Sequence, residues 1–356
     1  MQDLQGSLEL EEDFTSLKKI ESDFPDFYVK LAPSRPTKVY NTYWEFAAKR
    51  QDVFFNKIRE KYPPWTSDPI LKKYKFTNSY RASDRVSQYL IQNVIYKSTY
   101  SLEDLFFRII LFKVFNKIET WELIERELGE ITYSEFHYEA FDNLLTNAQN
   151  SGQSIYSGAY IMASAKSAYG YSKKHRNHLS MIVSMIEDEL PAKVSSAKSM
   201  QEVFIMLREY PSIGDFLAYQ YAIDINYSTI TDFSEMDFVM PGPGAYDGIH
   251  KCFSDLGGLN EVEIIKYMTD NQQQEFEKLG IDFKDLWGRE LQLIDCQNLF
   301  CEVDKYSRVA HPNISGKSDR KRIKQKYSPT KRKVIYWYPP KWGINENIER
   351  FYDGLE

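Results

Sequence analysis

Cysteine is scarce in this 356-residue sequence, which holds only Cys252, Cys296 and Cys301. An odd, sparse set excludes a disulfide scaffold and is typical of the reducing cytoplasm, where we expect the protein to reside. No four-ligand cysteine or histidine cluster is present, so we expect no bound metal. The most apolar run, LFFRIILFKVF, carries two basic residues and is too short for a membrane span. The acidic first residues lack the segments of a signal peptide, so we expect no secretion.

Net positive charge is also absent, because 45 Lys and Arg face 51 Asp and Glu, for a net charge of −6. This balance excludes a histone-like surface but leaves room for a local basic groove. The phosphate-binding sequence G-x-x-x-x-G-K-[ST] is absent as well. We therefore expect that the chain does not act as a kinase by itself and that it needs no cofactor.

Aromatic residues are abundant, at 15%, and apolar residues recur at helical spacing along most of the chain. This periodicity predicts a mainly α fold of two helical lobes with a few short strands. Composition divides the chain into an acidic leader and entry loop (1–40), a helical domain in two lobes (41–300) and a basic, aromatic C-terminal extension packed on the same body (301–356).

A helix–hairpin–helix pattern lies at residues 201–227, where a predicted helix ends at a Pro-x-x-Gly turn and a second helix follows. A tight turn at Gly214 would aim the free amides of the second helix at a phosphate, without any basic side chain. An ordinary helical hairpin is the alternative.

A second turn, MDFVMPGPGAYDGIHKCF, carries Gly242, Gly244 and Gly248 where a loop meets a helix. Its G-x-G-x-x-x-G spacing differs from the dinucleotide-binding fingerprint, so we exclude a Rossmann site. The glycines favour close approach of the backbone to a sugar or phosphate, and a packed helix start is the alternative.

Acidic residues near these turns are candidates for catalysis, since a fixed carboxylate stabilises the positive charge that develops on a sugar as its N-glycosidic bond breaks. Asp237 is the first choice, and Asp224 and Asp247 are the reserves. A solvated or helix-capping Asp is the alternative for each of them.

The segment KFTNSYRASDRVSQYLI predicts a helix that Asn78 or Ser79 would cap. Four of its polar side chains are spaced to share one helix face: Arg81, Asp84, Arg85 and Gln88. The arginines would contact phosphates and Gln88 or Asn78 a base edge. An ion-pair network between helices is the alternative.

Two basic segments complete the candidate contacts. Residues 317–333 hold nine Lys or Arg against one Asp, with Tyr and Trp nearby, which is typical of a nucleic-acid-binding arm or of a mobile surface segment. His175 and His178 lie in a KKHRNH segment, which we interpret as a solvated basic loop rather than a metal site.

Several strings together resemble a known family: WEFAAKRQDVFFNKI, PPWTSDPIL, FTNSYRASDRVSQYL, the SGAY at Ser157 and DFVMPGPGAYDGI. The sequence is similar, from about residue 40 to about residue 338, to the α-glutamyl/putrescinyl thymine pyrophosphorylases and the helical domain of 5-hydroxymethyluracil DNA kinases. That family is similar to helix–hairpin–helix DNA glycosylases and is associated with hypermodified bases of phage DNA. The resemblance implies a helix–hairpin–helix DNA-glycosylase-like, two-lobed helical fold.

The resemblance also implies that the polar helix face and the glycine-rich loop line a base pocket or DNA groove. The predicted DNA and base contacts are Asn78, Tyr80, Arg81, Asp84, Arg85, Gln88, Tyr156, Tyr160, Gly214, Gly242, Gly244, Lys321, Arg322 and Lys324. The expected partner is double-stranded DNA carrying modified bases, bound by a monomer.

The main functional prediction is a monofunctional DNA glycosylase that hydrolyses the N-glycosidic bond of a hypermodified pyrimidine, for example a glucosylated hydroxymethyl pyrimidine, in phage DNA as antiviral defence. Phe216 stands where bifunctional glycosylases carry a Schiff-base Lys, so we expect no lyase activity. The alternative is a non-catalytic DNA-reading module that partners a modified-base DNA kinase or pyrophosphorylase system. A third possibility is an enzyme that joins a group to thymine through a pyrophosphate intermediate, for which the sequence offers no distinctive site.

Overall fold

The computed structural model describes residues 34–59, 62–328 and 334–354, in which sixteen α-helices and one small sheet occur. This confirms the prediction of a mainly α fold with a few short strands. Nearly all of the acidic leader and residues 329–333 of the basic run lie outside the described residues. The domain boundaries at residues 40 and 300 stay predictions.

The helices are numbered here in chain order. They are α1 (Lys38–Ile58), α2 (Pro69–Lys73), α3 (Arg85–Tyr89), α4 (Leu102–Phe115), α5 (Ile118–Leu128), α6 (Tyr138–Asn150), α7 (Lys166–Tyr169), α8 (Lys174–Glu187), α9 (Leu190–Ser195), α10 (Met200–Arg208), α11 (Asp215–Asn226), α12 (Pro243–Cys252), α13 (Glu261–Asp270), α14 (Gln272–Lys278), α15 (Leu293–Ala310) and α16 (Asn345–Asp353). Short 3-10 helices span Arg81–Ser83 and Pro340–Trp342, and a π-helix spans Leu90–Ile95. The antiparallel strands β1 (Arg35–Pro36) and β2 (Phe253–Asp255) form the sheet.

Helix α4 lies in the core, and its sequence explains both of its ends. The hydroxyl of Ser101 accepts a hydrogen bond from the amide of Asp104 at 3.1 Å and so caps the first turn. Asn116 ends the helix in the left-handed conformation, at φ 47°. Its buried Arg108 donates to the carbonyls of Val94 and Ile131, which satisfies a charged group inside the core. None of the helices in the described residues is both long and apolar enough to cross a membrane.

The glycines of α12 allow this helix to pack closely on α15. A Cβ at Gly248 would overlap the carbonyl oxygen of Phe300, and one at Gly244 would lie 2.9 Å from the sulfur of Cys301. A Cβ at Gly242 would lie 2.7 Å from the ring of Phe216. Gly248 therefore requires glycine for packing, and a side chain at Gly242 or Gly244 would force Phe216 or Cys301 to shift. This agrees with the second interpretation of this turn, a packed helix start.

The hairpin of α10 and α11 forms where the sequence places it, but the left-handed residue of its turn is not Gly214. Gly214 has φ −86° and precedes the first residue of α11, whereas Ser212 has φ 70°. The expectation that Gly214 permits the turn is therefore wrong, since any residue adopts the conformation of Gly214.

The single helix predicted to start at Asn78 or Ser79 is replaced by three short helical segments. The chain makes a 3-10 turn at Arg81–Ser83, then α3, then the π-helix. Asn78 donates its amide to the carboxylate of Asp84 at 2.8 Å and its side chain to the carbonyl of Ser83 at 2.6 Å, which stabilises a loop rather than a helix start. The expected common helix face therefore does not exist.

Candidate nucleic-acid interface

A cavity of about 1320 Å³ is formed by segments that lie far apart in the sequence. Its wall includes residues of α1, the loops on both sides of α2, the start of α3, the junction of α4 and α5, the loop after α6, and the basic C-terminal segment. Six of the predicted contacts line it: Asn78, Arg81, Asp84, Arg85, Tyr156 and Tyr160. The cavity is larger than most small-molecule pockets, which span roughly 300–1,000 Å³.

The wall of this cavity is strongly basic although the chain as a whole is acidic. Among the residues that the structure describes, two carboxylates contribute to it, those of Asp84 and Glu119. Nine basic residues contribute: Arg50, Lys57, Lys72, Lys75, Arg81, Arg85, Lys113, Lys117 and Lys326. Such an excess in a concave surface focuses a positive potential and attracts anions such as phosphates.

Aromatic side chains accompany the basic ones. The cavity wall contains Trp65, Tyr74, Phe76, Tyr156, Tyr160, Tyr327, Tyr336 and Tyr352. Basic and aromatic groups along one concave surface are the combination with which proteins bind a nucleic-acid backbone and stack its bases.

At its inner end the cavity meets a buried ion-pair network. The guanidinium of Arg81 donates to both carboxylate oxygens of Asp224, at 2.8 and 3.0 Å, and the Nζ of Lys113 lies 3.1 Å from the same carboxylate. Burial opposes ionisation of Asp224, but the two cations outweigh it and hold the pKa of this carboxyl below its usual value. Two basic side chains therefore share one carboxylate beside the cavity, and burial lowers the pKa of Lys113.

Tyr160 covers this network. Its ring stacks on that of Phe216, with centroids 5.6 Å apart and planes within 5°, and the Nζ of Lys113 lies 4.8 Å from the ring centre. Tyr160 has φ 55°, a left-handed conformation that is a genuine outlier for a bulky residue. Burial raises the pKa of its phenol to about 12, so the side chain stays neutral.

Tyr156, on the same loop, is held by a neutral histidine. Burial lowers the pKa of His178 to about 4. Its Nε2 lies 2.7 Å from the carbonyl of Ala163 and therefore carries the proton, so Nδ1 accepts the hydroxyl of Tyr156 at 2.9 Å. Both His175 and His178 are buried on α8, and His175 contacts Asp142 at 2.8 Å. The interpretation of this segment as a solvated loop is therefore wrong.

A further part of the wall combines Arg50 with Asp84. Arg50 donates to the carbonyls of Thr77 and Phe76, while its Nη1 is buried with no hydrogen-bond partner in the described part of the chain. Burial raises the pKa of Asp84 to about 6, against the effects of the Asn78 amide and of Arg50. The sequence pointed to Asp84 but not to Arg50.

The described part of the basic C-terminal segment reaches the cavity through residues 325–328. Lys326 forms a β-bridge with Tyr74, and the amide of Lys75 donates to the carbonyl of Gln325 at 3.1 Å. This bridge adds residues 325–328 to the wall. Lys321, Arg322 and Lys324 are exposed and lie outside the wall, so the structure does not bring these three predicted contacts to the cavity.

The three candidate catalytic acids are not gathered at one site. Asp237 is exposed and does not line the cavity. Asp224 is fully buried in the ion-pair network. Asp247 accepts hydrogen bonds from the hydroxyl and amide of Ser318 and from Arg320, which fix the C-terminal segment to α12.

The remaining predicted contacts lie away from the cavity wall. Tyr80 is buried and donates to the carbonyl of Arg289 at 2.7 Å, and Gln88 is buried with hydrogen bonds to Ala82 and Trp337. Gly214 is exposed at the start of α11, while Gly242 and Gly244 pack at the start of α12.

Sequence comparison identifies the family of this chain. The chain matches the family model described as 5-hmdU DNA kinase, helical domain, over residues 37–316. The chain belongs to this family. It is also 30% identical over 304 residues to a protein of Bacillus phage SP10 named 5-hmdU DNA kinase. The aligned region covers 79% of this chain and 47% of the phage protein, so the chain spans about half the length of that relative. No solved structure matches the chain.

Membership of the 5-hmdU DNA kinase helical-domain family confirms the resemblance to these helical domains and corrects the main functional prediction. A monofunctional DNA glycosylase acting in antiviral defence is wrong, because the family and the phage relative are both described as DNA kinases. The inference of hydrolysis without lyase chemistry from Phe216 falls with it, and Phe216 instead supports Tyr160. The position of an acidic residue near a turn is weak evidence for a catalytic role, since Asp224 and Asp247 form structural ion pairs.

Several residues of the cavity were missed from the sequence, chiefly Arg50, Lys57, Lys113 and Lys326. Lys113 offered a usable signal, because it interrupts an otherwise apolar helix and a buried Lys requires a partner. Arg50 and Lys57 sit in an ordinary amphipathic helix, where no sequence feature separates them from solvated residues.

Proposed function

We propose that this chain is a DNA-reading helical module of a 5-hmdU DNA kinase system. In this proposal the basic, aromatic cavity holds the backbone of a DNA strand together with a nucleotide that carries 5-hydroxymethyluracil. Phosphoryl transfer is assigned to a part of the system outside this chain, because the chain lacks a phosphate-binding loop.

One observation carries the proposal: nine basic side chains and eight aromatic ones line a single cavity of a chain with net charge −6. Cations that are concentrated in a concave surface repel one another, and a bound anion relieves this repulsion. The family membership supplies the class of DNA, since the phage relative is named for 5-hmdU DNA.

The finer fold prediction also belongs to this proposal. We propose that α10, α11 and the body around them have a helix–hairpin–helix DNA-glycosylase-like arrangement in two lobes, used here for DNA binding without base release. We further expect a monomer in the cytoplasm, a location that three free cysteines favour.

DNA binding tests the proposal through its salt dependence. Fluorescence anisotropy with a duplex that contains 5-hydroxymethyluracil should show affinity that falls steeply between about 50 and 200 mM salt. The double variant Lys75→Ala/Lys326→Ala should bind more weakly and should lower the slope of log affinity against log salt by up to about 0.9 per lost phosphate contact.

A charge-matched control separates the cavity from general electrostatics. Lys193→Ala/Lys198→Ala removes the same charge from exposed positions that do not line the cavity, and should bind like the unmodified protein. Equal weakening by both double variants, or no binding by the unmodified protein, would contradict the proposal.

A further inference from the structure

The apolar side chains that the structure leaves most exposed include three that adjoin residues of the cavity wall along the chain. Among the described residues, the large hydrophobic side chains with the highest exposure are Tyr62 (94%), Ile161 (72%) and Ile335 (66%). Each is a chain neighbour of a residue in the cavity wall, namely Pro63, Tyr160 and Val334. Tyr62 and Ile161 are called the apolar rim below, because Ile335 lines a second, smaller cavity.

The loop that carries Ile161 is anchored on both sides, so it presents this side chain in a fixed way. Ile155 and Met162 are each only 2% exposed. Between them the amide of Ser157 donates to the carbonyl of Phe115 at 2.9 Å, and the hydroxyl of Tyr156 donates to His178. Ile161 is thus exposed on a loop whose flanking residues are buried.

Tyr160, whose backbone is left-handed, lies in the cavity wall, and the side chain of the next residue, Ile161, is exposed. The left-handed conformation of Tyr160 is maintained by stacking on Phe216 and by the contact with Lys113. Strained conformations of this kind persist where the surroundings enforce them, and they are concentrated at functional sites. Here the strained residue lies in the cavity wall while the next residue, Ile161, is exposed at the rim.

We propose that Ile161 inserts into the base stack of duplex DNA beside a nucleotide that enters the cavity. Apolar side chains that wedge between base steps unstack them at a cost that contacts elsewhere offset. In this protein the basic wall provides those contacts, because it attracts the phosphates that flank the opened step. A protein partner would also cover an apolar rim, but the excess of basic residues in the cavity favours DNA.

The inference rests on the proposed function, and the experiment distinguishes the two. The probe is a duplex with one 5-hydroxymethyluracil and 2-aminopurine as its neighbour, whose fluorescence rises when the base unstacks. The unmodified full chain should raise this fluorescence on binding. Ile161→Ala should lose most of the rise and weaken duplex binding by roughly tenfold, while binding of the single strand, which has no stack to open, stays within about twofold.

The matched control is Ile205→Ala, the same substitution at an exposed position of α10 outside the cavity wall, which should behave like the unmodified protein. If the unmodified chain binds and unstacks the duplex but Ile161→Ala does so equally well, the wedge is contradicted and the proposed function stands. If the unmodified chain binds neither the duplex nor the single strand, both proposals are overturned.

Discussion

Arg81 and Asp224 form a bidentate ion pair inside the protein, with nitrogen–oxygen distances of 2.8 and 3.0 Å and almost no exposure of either side chain. Lys113 shares the same carboxylate. The pair joins the 3-10 turn after Ser79 to α11, and thereby fixes one wall of the cavity to the helical core.

Asp224→Asn should destabilise the protein by about 3–5 kcal/mol, because it leaves two buried cations without an anion. Urea unfolding at neutral pH measures the change. Asp237→Asn is the control, since Asp237 is exposed and this substitution should change the free energy of unfolding by less than about 0.5 kcal/mol. Similar stability of the two variants would show that the ion pair does not hold the fold together.

Gly248→Ala should destabilise the protein by about 3 kcal/mol, because the added methyl group overlaps the backbone of α15 and the two helices must separate. Gly214→Ala is the contrast. A Cβ at that position meets nothing within 4 Å and the backbone has a negative φ, so the expected loss is below about 1 kcal/mol. Thermal unfolding of both variants distinguishes close helix packing from a mere turn preference.

The contribution of the buried carboxyl of Asp295 to the stability of the protein should fall as pH rises from about 4 to about 7, while the buried His178 contributes with the opposite sign. Burial, together with the nearby charge of Glu235, raises the pKa of Asp295 from 3.8 to about 7. The folded state therefore holds this proton over a pH range in which the unfolded chain has released it, and folding is weakened as the pH increases. Relative to the unmodified protein, Asp295→Asn should make the slope of the free energy of unfolding against pH more positive between these values, and an unchanged slope would refute the assignment.

Tyr160→Ala should weaken DNA binding by about 5- to 150-fold, corresponding to the roughly 1–3 kcal/mol that a base gains by stacking on an aromatic ring. Tyr160→Phe should retain binding, because it keeps the ring. Tyr246→Ala removes a similar side chain, 40% exposed on α12 and outside the cavity wall, and should have little effect. Anisotropy titrations compare the three variants, and urea unfolding checks that each is folded.

Local sequence signals located most of the helices, and the reason is visible in their caps. Ser101 caps α4, and Gly129 ends α5 with φ 84°, which non-glycine residues rarely adopt. The prediction of one helix after Asn78 was wrong because polar residues of this region form hydrogen bonds with distant partners. Arg81 bonds to Asp224, and Gln88 bonds to Trp337. Helical spacing alone gives no information about such contacts across more than a hundred residues.

Only part of the cavity wall could be predicted from the sequence, for the same reason. Arg81 and Asp84 were predicted from the spacing of polar residues and Tyr160 from resemblance to a family, whereas Arg50 and Lys326 reach the wall through a helix and a β-bridge that no local pattern reveals. Of the two interpretations of the glycine-rich turn, close packing accounts for its glycines, since Gly244 and Gly248 lie against α15 and Gly242 lies against Phe216.

The most direct test of DNA binding in the cavity is photo-crosslinking from the DNA itself. A duplex with a photoreactive 5-iodouracil in place of the modified base is irradiated with the full chain, and the crosslinked peptides are identified by mass spectrometry. We predict crosslinks to cavity aromatics, above all Tyr156, Tyr160 and Tyr327, and their loss when an unlabelled 5-hydroxymethyluracil duplex competes. Crosslinks confined to surfaces outside the cavity wall would contradict the proposed function.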